Sequence, residues 1–223
     1  MKKLSALLLL AIVSISMSAQ NREFIRNEIQ KYDECRNVAI TEYNGDLMLY
    51  GKNGWAASGC PKSLTNALRE LNNSGDFIND VQLTNNGAWL IVHGRNGIQW
   101  NDIPYSLERM LRQWNSNYEE ITSVAFNDSG DWIAVSTEHI AASDAELQEW
   151  VAGGMEDYGG VWATCITEDA AIVVYENGYR FLGNVPVDLI RELDSVDFNV
   201  YRIKIAGTSW FMSDNKSIYS YNM

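Results

Sequence analysis

A repeat of about 43 residues constrains the fold of this chain more than any other feature of its sequence. Residues 81–92 align without a gap with residues 124–135, and the alignment places Trp89 over Trp132. Further copies lie at residues 38–50, 164–174 and 200–212. A period of this length is typical of solenoids, propellers and related architectures, in which each unit buries its apolar face against its neighbours. We therefore expect five copies of one supersecondary unit.

Each copy continues with a second turn. Asn-Gly between apolar runs favours a two-residue hairpin. It occurs at Asn53-Gly54, Asn96-Gly97 and Asn177-Gly178, whereas the third unit has Thr137-Glu138-His139 at this place. A third strand is therefore predicted in each unit.

The three prolines of the chain mark the predicted helix starts. Pro61, Pro104 and Pro186 each open a Pro-x-x-Leu pattern that is followed by apolar residues at helical spacing. Proline presets the backbone of a first helical turn without losing a hydrogen bond. The third unit lacks the proline, and there we expect Ser143 to cap a helix that begins with Asp144. Each unit is thus predicted to be a three-stranded meander followed by one helix.

The first and last segments of the chain complement each other. The fifth meander begins at residue 200 and is followed by no helix, whereas residues 21–34 form a lone amphipathic segment before the first meander. We therefore predict a single α+β repeat domain over residues 20–223. Five βββα units close into a five-bladed α/β-propeller-like ring, in which the N-terminal helix completes the last unit. An open repeat stack is the alternative. The predicted units are residues 36–75, 76–118, 119–158, 159–197 and 198–223.

Residues 1–19 have the pattern of a secretory signal peptide. Lys2 and Lys3 precede an apolar run over residues 4–15, and small residues end at Ala19, where we expect cleavage. The run is shorter than the roughly 20 residues of a membrane span. We therefore expect an exported protein, periplasmic or extracellular, with no membrane span in the mature chain.

The charge of the chain excludes one class of partner. It carries 17 Lys and Arg against 29 Asp and Glu, a formal net charge of −12 over 223 residues. Sequence-independent binding to nucleic acid or anionic lipid requires a basic surface. We therefore expect no nucleic-acid partner, and a protein or glycan partner instead.

Five units of about forty residues, each with three strands and one helix, resemble the α/β-propeller of the pentein family. That family includes guanidine-modifying enzymes and a ribosome-binding anti-association factor. The Gly-x-Trp turns and Pro-x-x-Leu helices are also similar to repeats of secreted bacterial proteins of unknown function. The resemblance covers the mature chain by unit count and element order, and it assigns no role to particular residues.

Catalytic residue types are few and dispersed. A pentein-like hydrolase or guanidine-modifying enzyme requires a Cys nucleophile beside a His and carboxylates. Cys165 lies in the middle of a predicted first strand, whereas His93 and His139 lie at the far ends of second strands or beyond. We expect no catalytic residues, no metal site and no cofactor. Because a strand length separates Cys35 from Cys60, we also expect mostly free thiols.

The candidate binding residues are aromatic and basic side chains of the third strands and of the turns before them. Trp89, Trp132 and Trp210 share one repeat position, which favours a core layer over a stacking platform for sugars. Aromatic side chains that vary in position among the units are less suited to packing alone. The candidates are Lys52, Trp55, Arg95, Trp100, Tyr179 and Arg180.

These observations favour an exported, non-catalytic binding or scaffold protein that recognises a protein or glycan partner in the cell envelope or outside the cell. Repeat rings offer rigid end surfaces with variable loops, which suit recognition. One alternative is a pentein-like hydrolase or guanidine-modifying enzyme with a Cys/His centre. The other is an envelope structural or assembly protein whose acidic surface keeps it soluble.

Overall fold

The computed structural model describes residues 22–43 and 45–223. The predicted signal peptide, residues 1–19, lies outside these residues, as does Asn44 of the first turn. The described chain forms five three-stranded antiparallel sheets and five helices, so the predicted α+β repeat is confirmed. Strand order follows chain order in every sheet, and strand pairing stays within each sheet. None of the helices in these ranges combines the length and the apolar composition needed to cross a bilayer.

The elements follow each other in the predicted order. Helix α1 covers residues 22–32. The first sheet contains β1 (Asn37–Ile40), β2 (Asp46–Tyr50) and β3 (Gly54–Ser58), followed by α2 (Lys62–Ser74). The second contains β4 (Ile78–Leu83), β5 (Trp89–His93) and β6 (Gly97–Asn101), followed by α3 (Tyr105–Ser116). The third contains β7 (Ile121–Phe126), β8 (Trp132–Ser136) and β9 (Ile140–Ala142), followed by α4 (Ala145–Tyr158). The fourth contains β10 (Val161–Ile166), β11 (Ala170–Tyr175) and β12 (Gly178–Gly183), followed by α5 (Val187–Leu193). The fifth contains β13 (Arg202–Ala206), β14 (Ser209–Ser213) and β15 (Tyr219–Asn222).

The helix starts follow the proline pattern with one correction. Pro61, Pro104 and Pro186 are the N-cap residues of α2, α3 and α5. In the third unit Asp144 occupies this position, and its Oδ1 accepts a hydrogen bond from the Leu147 N–H at 2.9 Å. The prediction that Ser143 caps this helix is therefore wrong by one residue. A carboxylate is a strong acceptor beside the positive end of a helix, and it replaces the missing proline as the start signal.

The hydrophobic core lies between successive sheets. Leu47 of β2, Ile91 of β5 and Leu68 of α2 belong to one buried cluster, which joins the first and second sheets. Equivalent clusters join the second sheet to the third, the third to the fourth and the fourth to the fifth. A last cluster combines Ile25 of α1 and Met48 of the first sheet with Phe211 of the fifth. Each fully buried side chain of this size contributes about 1.5–3 kcal/mol.

The three repeated tryptophans belong to this core. Trp89, Trp132 and Trp210 are each at most 5% exposed, so they do not form a stacking platform. Their indole Nε1–H groups donate to Ser63 Oγ (3.0 Å), Ser106 Oγ (2.9 Å) and Asp188 Oδ2 (3.0 Å), respectively. Each acceptor is the second residue after the N-cap proline of the preceding helix. The repeat therefore preserves a hydrogen bond between strand and helix as well as a packing position.

The first strands of the five sheets lie side by side. They are in contact in chain order, β1 with β4, β4 with β7, β7 with β10 and β10 with β13, and β13 also contacts β1. We call the end where these strands begin the start side, and the end where each turns into its second strand the turn side.

Candidate functional site

A buried ionic group lies where the first strands meet, and Asp80 of β4 is at its centre. Asp80 is 2% exposed, and Lys204 Nζ of β13 lies 2.8 Å from its Oδ1. Asn37 Nδ2 of β1 donates to the same oxygen at 2.7 Å, and Gln82 Nε2 donates to Oδ2 at 2.9 Å. Strands of units one, two and five thus supply donors to a single carboxylate.

The environment of Asp80 keeps it ionised. Burial by itself raises the pKa of a carboxyl group, but Lys204, Arg202 and the hydrogen bonds outweigh this effect and hold the pKa of Asp80 below its usual value. A buried charge is tolerated in a protein when it is both paired and hydrogen-bonded. Asp80 meets both conditions, because three donors occupy most of the acceptor sites of its carboxylate.

Arg202 lies at the start side of the same strand as Lys204. Its Nε donates to Asn79 O at 3.2 Å, and its Nη1 donates to Thr122 O at 3.4 Å and to Tyr201 O at 2.5 Å. Its Nη2 donates to no atom within residues 22–43 and 45–223, and it is not fully enclosed. Three backbone carbonyls thus hold the guanidinium in place while one of its nitrogens remains available.

A cavity of about 410 Å³ opens at this point on the start side. Units two to five contribute to its wall. Its aromatic lining consists of Phe77, Trp162 and Tyr201. Its charged and amide lining consists of Asn79, Glu120, Arg202, Asp214, Asn215 and Lys216. A concave site with aromatic walls and a few polar groups is the usual form of a small-molecule or oligomer binding site.

The aromatic rings of this cavity are not used for core packing. The rings of Trp162 and Tyr201 lie with their centroids 5.1 Å apart at an interplanar angle of 43°. Both residues and Phe77 are half-buried. In the part of the chain that the structure describes, none of the three belongs to a core cluster. Their exposed faces are therefore available inside the cavity.

A second guanidinium lies beside the cavity. The Arg36 guanidinium stacks on the Phe77 ring at 4.4 Å, and its Nη1 donates to Asn215 Oδ1 at 3.4 Å. Burial lowers the pKa of both Arg36 and Arg202, but an arginine stays protonated in proteins. Among the described ion pairs, neither guanidinium has a carboxylate within 4.0 Å. Neither guanidinium is therefore in a direct ion pair, although the charge of Asp80 acts on Arg202 and that of Glu34 acts on Arg36.

The turn side has a different construction. Its cavity measures about 50 Å³ and receives residues from all five units. Side chains of one unit accept hydrogen bonds from the turn of the unit before. Asn85 Oδ1 accepts from the Glu42 N–H at 2.8 Å, Asp128 Oδ2 accepts from the Asn86 N–H at 3.2 Å, and Glu168 Oε1 accepts from the Asp128 N–H at 2.8 Å. These polar groups hold neighbouring turns together, whereas Thr84 Oγ1 and Asp46 Oδ2 on the same side have no hydrogen-bond partner among the described residues.

Two of the predicted binding residues lie near the start side. Lys52 and Arg95 are exposed in the turns before β3 and β6. Arg36 Nε donates to Gly51 O at 2.6 Å, and Asn79 Nδ2 donates to Gly94 O at 2.7 Å. These bonds attach both turns to residues at or beside the larger cavity, although Lys52 and Arg95 do not line it.

The predicted aromatic candidates pack against their own units. Trp55 packs on the buried cluster between the first and second sheets, and Trp100 packs on the next cluster. The Arg112 guanidinium of α3 lies 4.6 Å from the centroid of the Trp100 ring. Tyr179 packs on the cluster between the fourth and fifth sheets, and its hydroxyl donates to Asp194 Oδ1 at 2.6 Å.

Arg180 lies in a strand rather than a turn. It is the third residue of β12, and its Nη1 donates to Trp150 O of α4 at 2.9 Å. Apart from the chain neighbours Tyr179 and Arg180, no contact between described side chains brings the six predicted binding residues together.

The cysteines and histidines form no reactive group in the described chain. Cys35, Cys60 and Cys165 are free thiols. Burial raises the pKa of Cys165 to about 11, so its thiolate is disfavoured at neutral pH. His139 Nδ1 lies 2.9 Å from a carboxylate oxygen of Glu119 and contacts no thiol. No group of three or more His, Cys, Asp or Glu side chains in residues 22–43 and 45–223 is arranged to hold a metal.

Sequence reasoning missed the aromatic and basic residues that line the start-side cavity. A signal was present, because Lys204 lies between two isoleucines in β13, and Asp80 is a charged residue in a first strand that also carries Ile78 and Val81. A charge at such a position predicts a partner charge on a neighbouring first strand. Arg202 lies at the start of the strand that contains Lys204, and Tyr201 precedes it. The Tyr201 ring contacts that of Trp162.

Comparison of the chain with protein-family models and with curated protein sequences gives no match.

Proposed function

We propose that this chain is an exported, non-catalytic binding or scaffold protein that recognises a protein or glycan partner in the cell envelope or outside the cell. The start-side cavity is the recognition site. The observation that carries the proposal is the combination, in one cavity of about 410 Å³, of half-buried aromatic rings with an arginine whose Nη2 has no hydrogen-bond partner among the described residues. Such rings and cations are characteristic of recognition surfaces.

The proposal includes a closed ring of the pentein type, in which α1 completes the fifth unit. Two kinds of contact between the first and fifth units support it. The Arg22 Nη2 group of α1 donates to Thr41 O at 3.0 Å and to Ala206 O at 3.5 Å, and Arg26 Nη1 donates to Met223 O at 2.5 Å. In addition, Ser213 Oγ of β14 donates to a backbone carbonyl just before β1. Closure would hide the end faces that an open stack exposes.

The wall of the start-side cavity would then consist of several rigid strands with the aromatic and basic side chains at their ends. A rigid wall lowers the entropic cost of binding because few side chains must be ordered on contact. The Asp80 and Lys204 ion pair would hold the second and fifth units at a constant separation, and with them the two sides of the cavity.

The test is capture of a partner by variants that differ only in the cavity. The purified protein is exposed to an array of glycans and to an extract of envelope proteins, beside Trp162→Ala and Trp100→Ala. Trp100 is the matched control because it is also a half-buried tryptophan near an arginine, but outside the cavity. We expect a partner that the unsubstituted protein and Trp100→Ala capture and that Trp162→Ala loses.

Two other results would change the conclusion. Loss of capture in Trp100→Ala alone would move the site to the third strands, where the sequence pattern suggested it. Chemical conversion of the captured partner would favour the hydrolase alternative.

A further inference from the structure

We infer that the start-side cavity recognises a sugar ring that carries a carboxylate, such as a hexuronic acid residue of an acidic glycan. This inference rests on the proposed function and deepens it by naming the chemical class of the partner. Three features of the cavity lead to it: an arginine with a free nitrogen, aromatic faces, and acceptor groups at the rim.

The available guanidinium nitrogen favours an anion. Arg202 is held by three backbone carbonyls, so its orientation is set before a ligand arrives, and its Nη2 has no partner in the described residues. A guanidinium binds a carboxylate through short, charge-assisted hydrogen bonds. Lys216 in the lining and Arg36 behind Phe77 add positive charge to the same side.

The acidic groups of the lining equal its basic groups in number, since Glu120 and Asp214 stand against Arg202 and Lys216. Asp214 accepts hydrogen bonds at its Oδ1 from the backbone N–H groups of Lys216, Ser217 and Ile218, so this oxygen is engaged in its own turn. Glu120 is exposed and forms no ion pair in the described chain. The charged side chains of the lining therefore sum to zero, in a protein with a net charge of −12. Recognition of a carboxylate here depends on the fixed hydrogen-bond geometry of the Arg202 guanidinium rather than on net charge.

The aromatic and polar walls favour a sugar over a simple anion. Trp162 and Tyr201 present ring surface at an angle of 43° to each other, which forms a corner rather than a flat plate. The apolar face of a pyranose packs on such rings. The Glu120 carboxylate and the Asn215 amide supply acceptors and donors for hydroxyl groups. Inorganic phosphate would use the arginine and leave the aromatic walls empty.

The experiment is calorimetric titration of the purified protein with three probes. They are a digalacturonate, a galactose disaccharide of the same linkage, and inorganic phosphate. We expect digalacturonate to bind at least about ten-fold more tightly than the other two, because only it engages both the arginine and the rings.

Variants assign the binding to the cavity. Trp162→Ala and Arg202→Lys are each expected to raise the Kd for digalacturonate by about ten-fold or more, since the first removes a ring and the second removes the guanidinium fork. Trp100→Ala and Arg112→Ala, the same residue types outside the cavity, are expected to leave the Kd within about two-fold. Circular dichroism and thermal unfolding check that each variant folds. Because Arg202 supports the strand start, Trp162→Ala keeps the test valid if Arg202→Lys unfolds.

The failure of this inference differs from the failure of the proposed function. Equal binding of the neutral disaccharide would refute the role of the carboxylate, and equal binding of phosphate would refute the role of the sugar. In both cases a partner that depends on Trp162 in the capture experiment would still support the proposed function. Absence of any partner that depends on Trp162 would overturn both.

Discussion

The start side and the turn side of the first strands satisfy their polar groups in different ways. On the turn side, carboxylates and amides of one unit accept hydrogen bonds from the turn of the preceding unit, as Glu168 does from Asp128. On the start side, Asp80 is buried and accepts hydrogen bonds at both carboxylate oxygens, whereas Arg202 keeps one nitrogen without a partner in the described chain. Polar groups that are hydrogen-bonded to neighbouring units support the fold, whereas the unpartnered nitrogen of Arg202 is available to a ligand.

Two buried ion pairs, one on each side, differ in the opposite sense. Arg22 Nη1 and Asp46 Oδ1 lie 2.9 Å apart at the turn side, and Lys204 Nζ and Asp80 Oδ1 lie 2.8 Å apart nearer the start side. Asp46 Oδ2 has no hydrogen-bond partner in the described chain, and burial raises the pKa of Asp46 above its usual value. Both oxygens of Asp80 accept hydrogen bonds, and its pKa is lowered. Distance alone does not determine how favourable a buried pair is, because the remaining lone pairs must also be satisfied.

The largest effect is expected from Lys204→Met. This substitution leaves the Asp80 carboxylate buried without its cation, which costs about 3–5 kcal/mol in the free energy of unfolding. Urea unfolding followed by tryptophan fluorescence measures it.

The control for Lys204→Met is the double variant with Asp80→Asn. Removing the negative charge as well is expected to recover a large part of the loss, since an amide is less costly to bury than an unpaired carboxylate. If Lys204→Met lowers the free energy of unfolding by less than about 1 kcal/mol, the ion pair between Asp80 and Lys204 contributes little to stability.

The two aspartates are expected to respond to pH in opposite directions. Because the folded-state pKa of Asp80 lies below the usual 3.8, its contribution to stability is present above that value and is lost as the pH falls through the folded pKa. Because the folded-state pKa of Asp46 lies above 3.8, the wild type loses stability as the pH rises through the interval between the two values.

Unfolding free energies of Asp80→Asn and Asp46→Asn at about pH 3 and pH 7 test this difference. The penalty of Asp80→Asn should grow toward neutral pH, and the penalty of Asp46→Asn should shrink. A shift of both penalties in the same direction would remove the distinction between the two pairs.

A smaller effect is expected on the turn side from Glu168→Ala. The substitution removes an exposed carboxylate that accepts hydrogen bonds from the Asp128 N–H and from the N–H and hydroxyl of Ser129, and it should cost about 0.5–1 kcal/mol. Glu168→Gln keeps an acceptor at the same place and should lose less than half of that. Chemical unfolding of the two variants in parallel measures the difference, and a loss as large as that of Lys204→Met would contradict the contrast between the two sides.

The smallest effect is expected in the labelling rates of two cysteines. These rates measure local opening of the fold around each thiol and require no substitution. Cys60 is half-buried and its Sγ donates to Asp46 O at 3.4 Å, whereas Cys165 is buried. Burial raises the pKa of Cys60 to about 12 and that of Cys165 to about 11, so both should react slowly with a thiol reagent at neutral pH. Mass spectrometry of the labelled protein should nevertheless find Cys60 modified before Cys165. The two thiols differ more in their exposure to the reagent than in the fraction of thiolate that they form. If Cys165 were modified before Cys60, the fourth sheet would open before the region around Cys60.

The sequence by itself determined the repeat, the meander and helix of each unit, and the layer of tryptophans. These features depend on interactions that are local or that recur at one repeat position. Pro61 starts a helix because of its own backbone geometry, and Trp89 reaches Ser63 in the helix just before it. The pattern of apolar residues at strand and helix spacing therefore predicts them with little knowledge of the rest of the chain.

Only the tertiary structure decided which polar residues meet. Asp80 and Lys204 are separated by 124 positions, and Trp162 and Tyr201 come from different units. The repeat pattern identifies residues such as Trp55, whose type or position differs from that in the other units. It does not predict which strand ends lie close together in the folded protein. That convergence depends on the packing of five sheets against one another, and a small displacement of one sheet would separate the cavity residues without changing a single local preference.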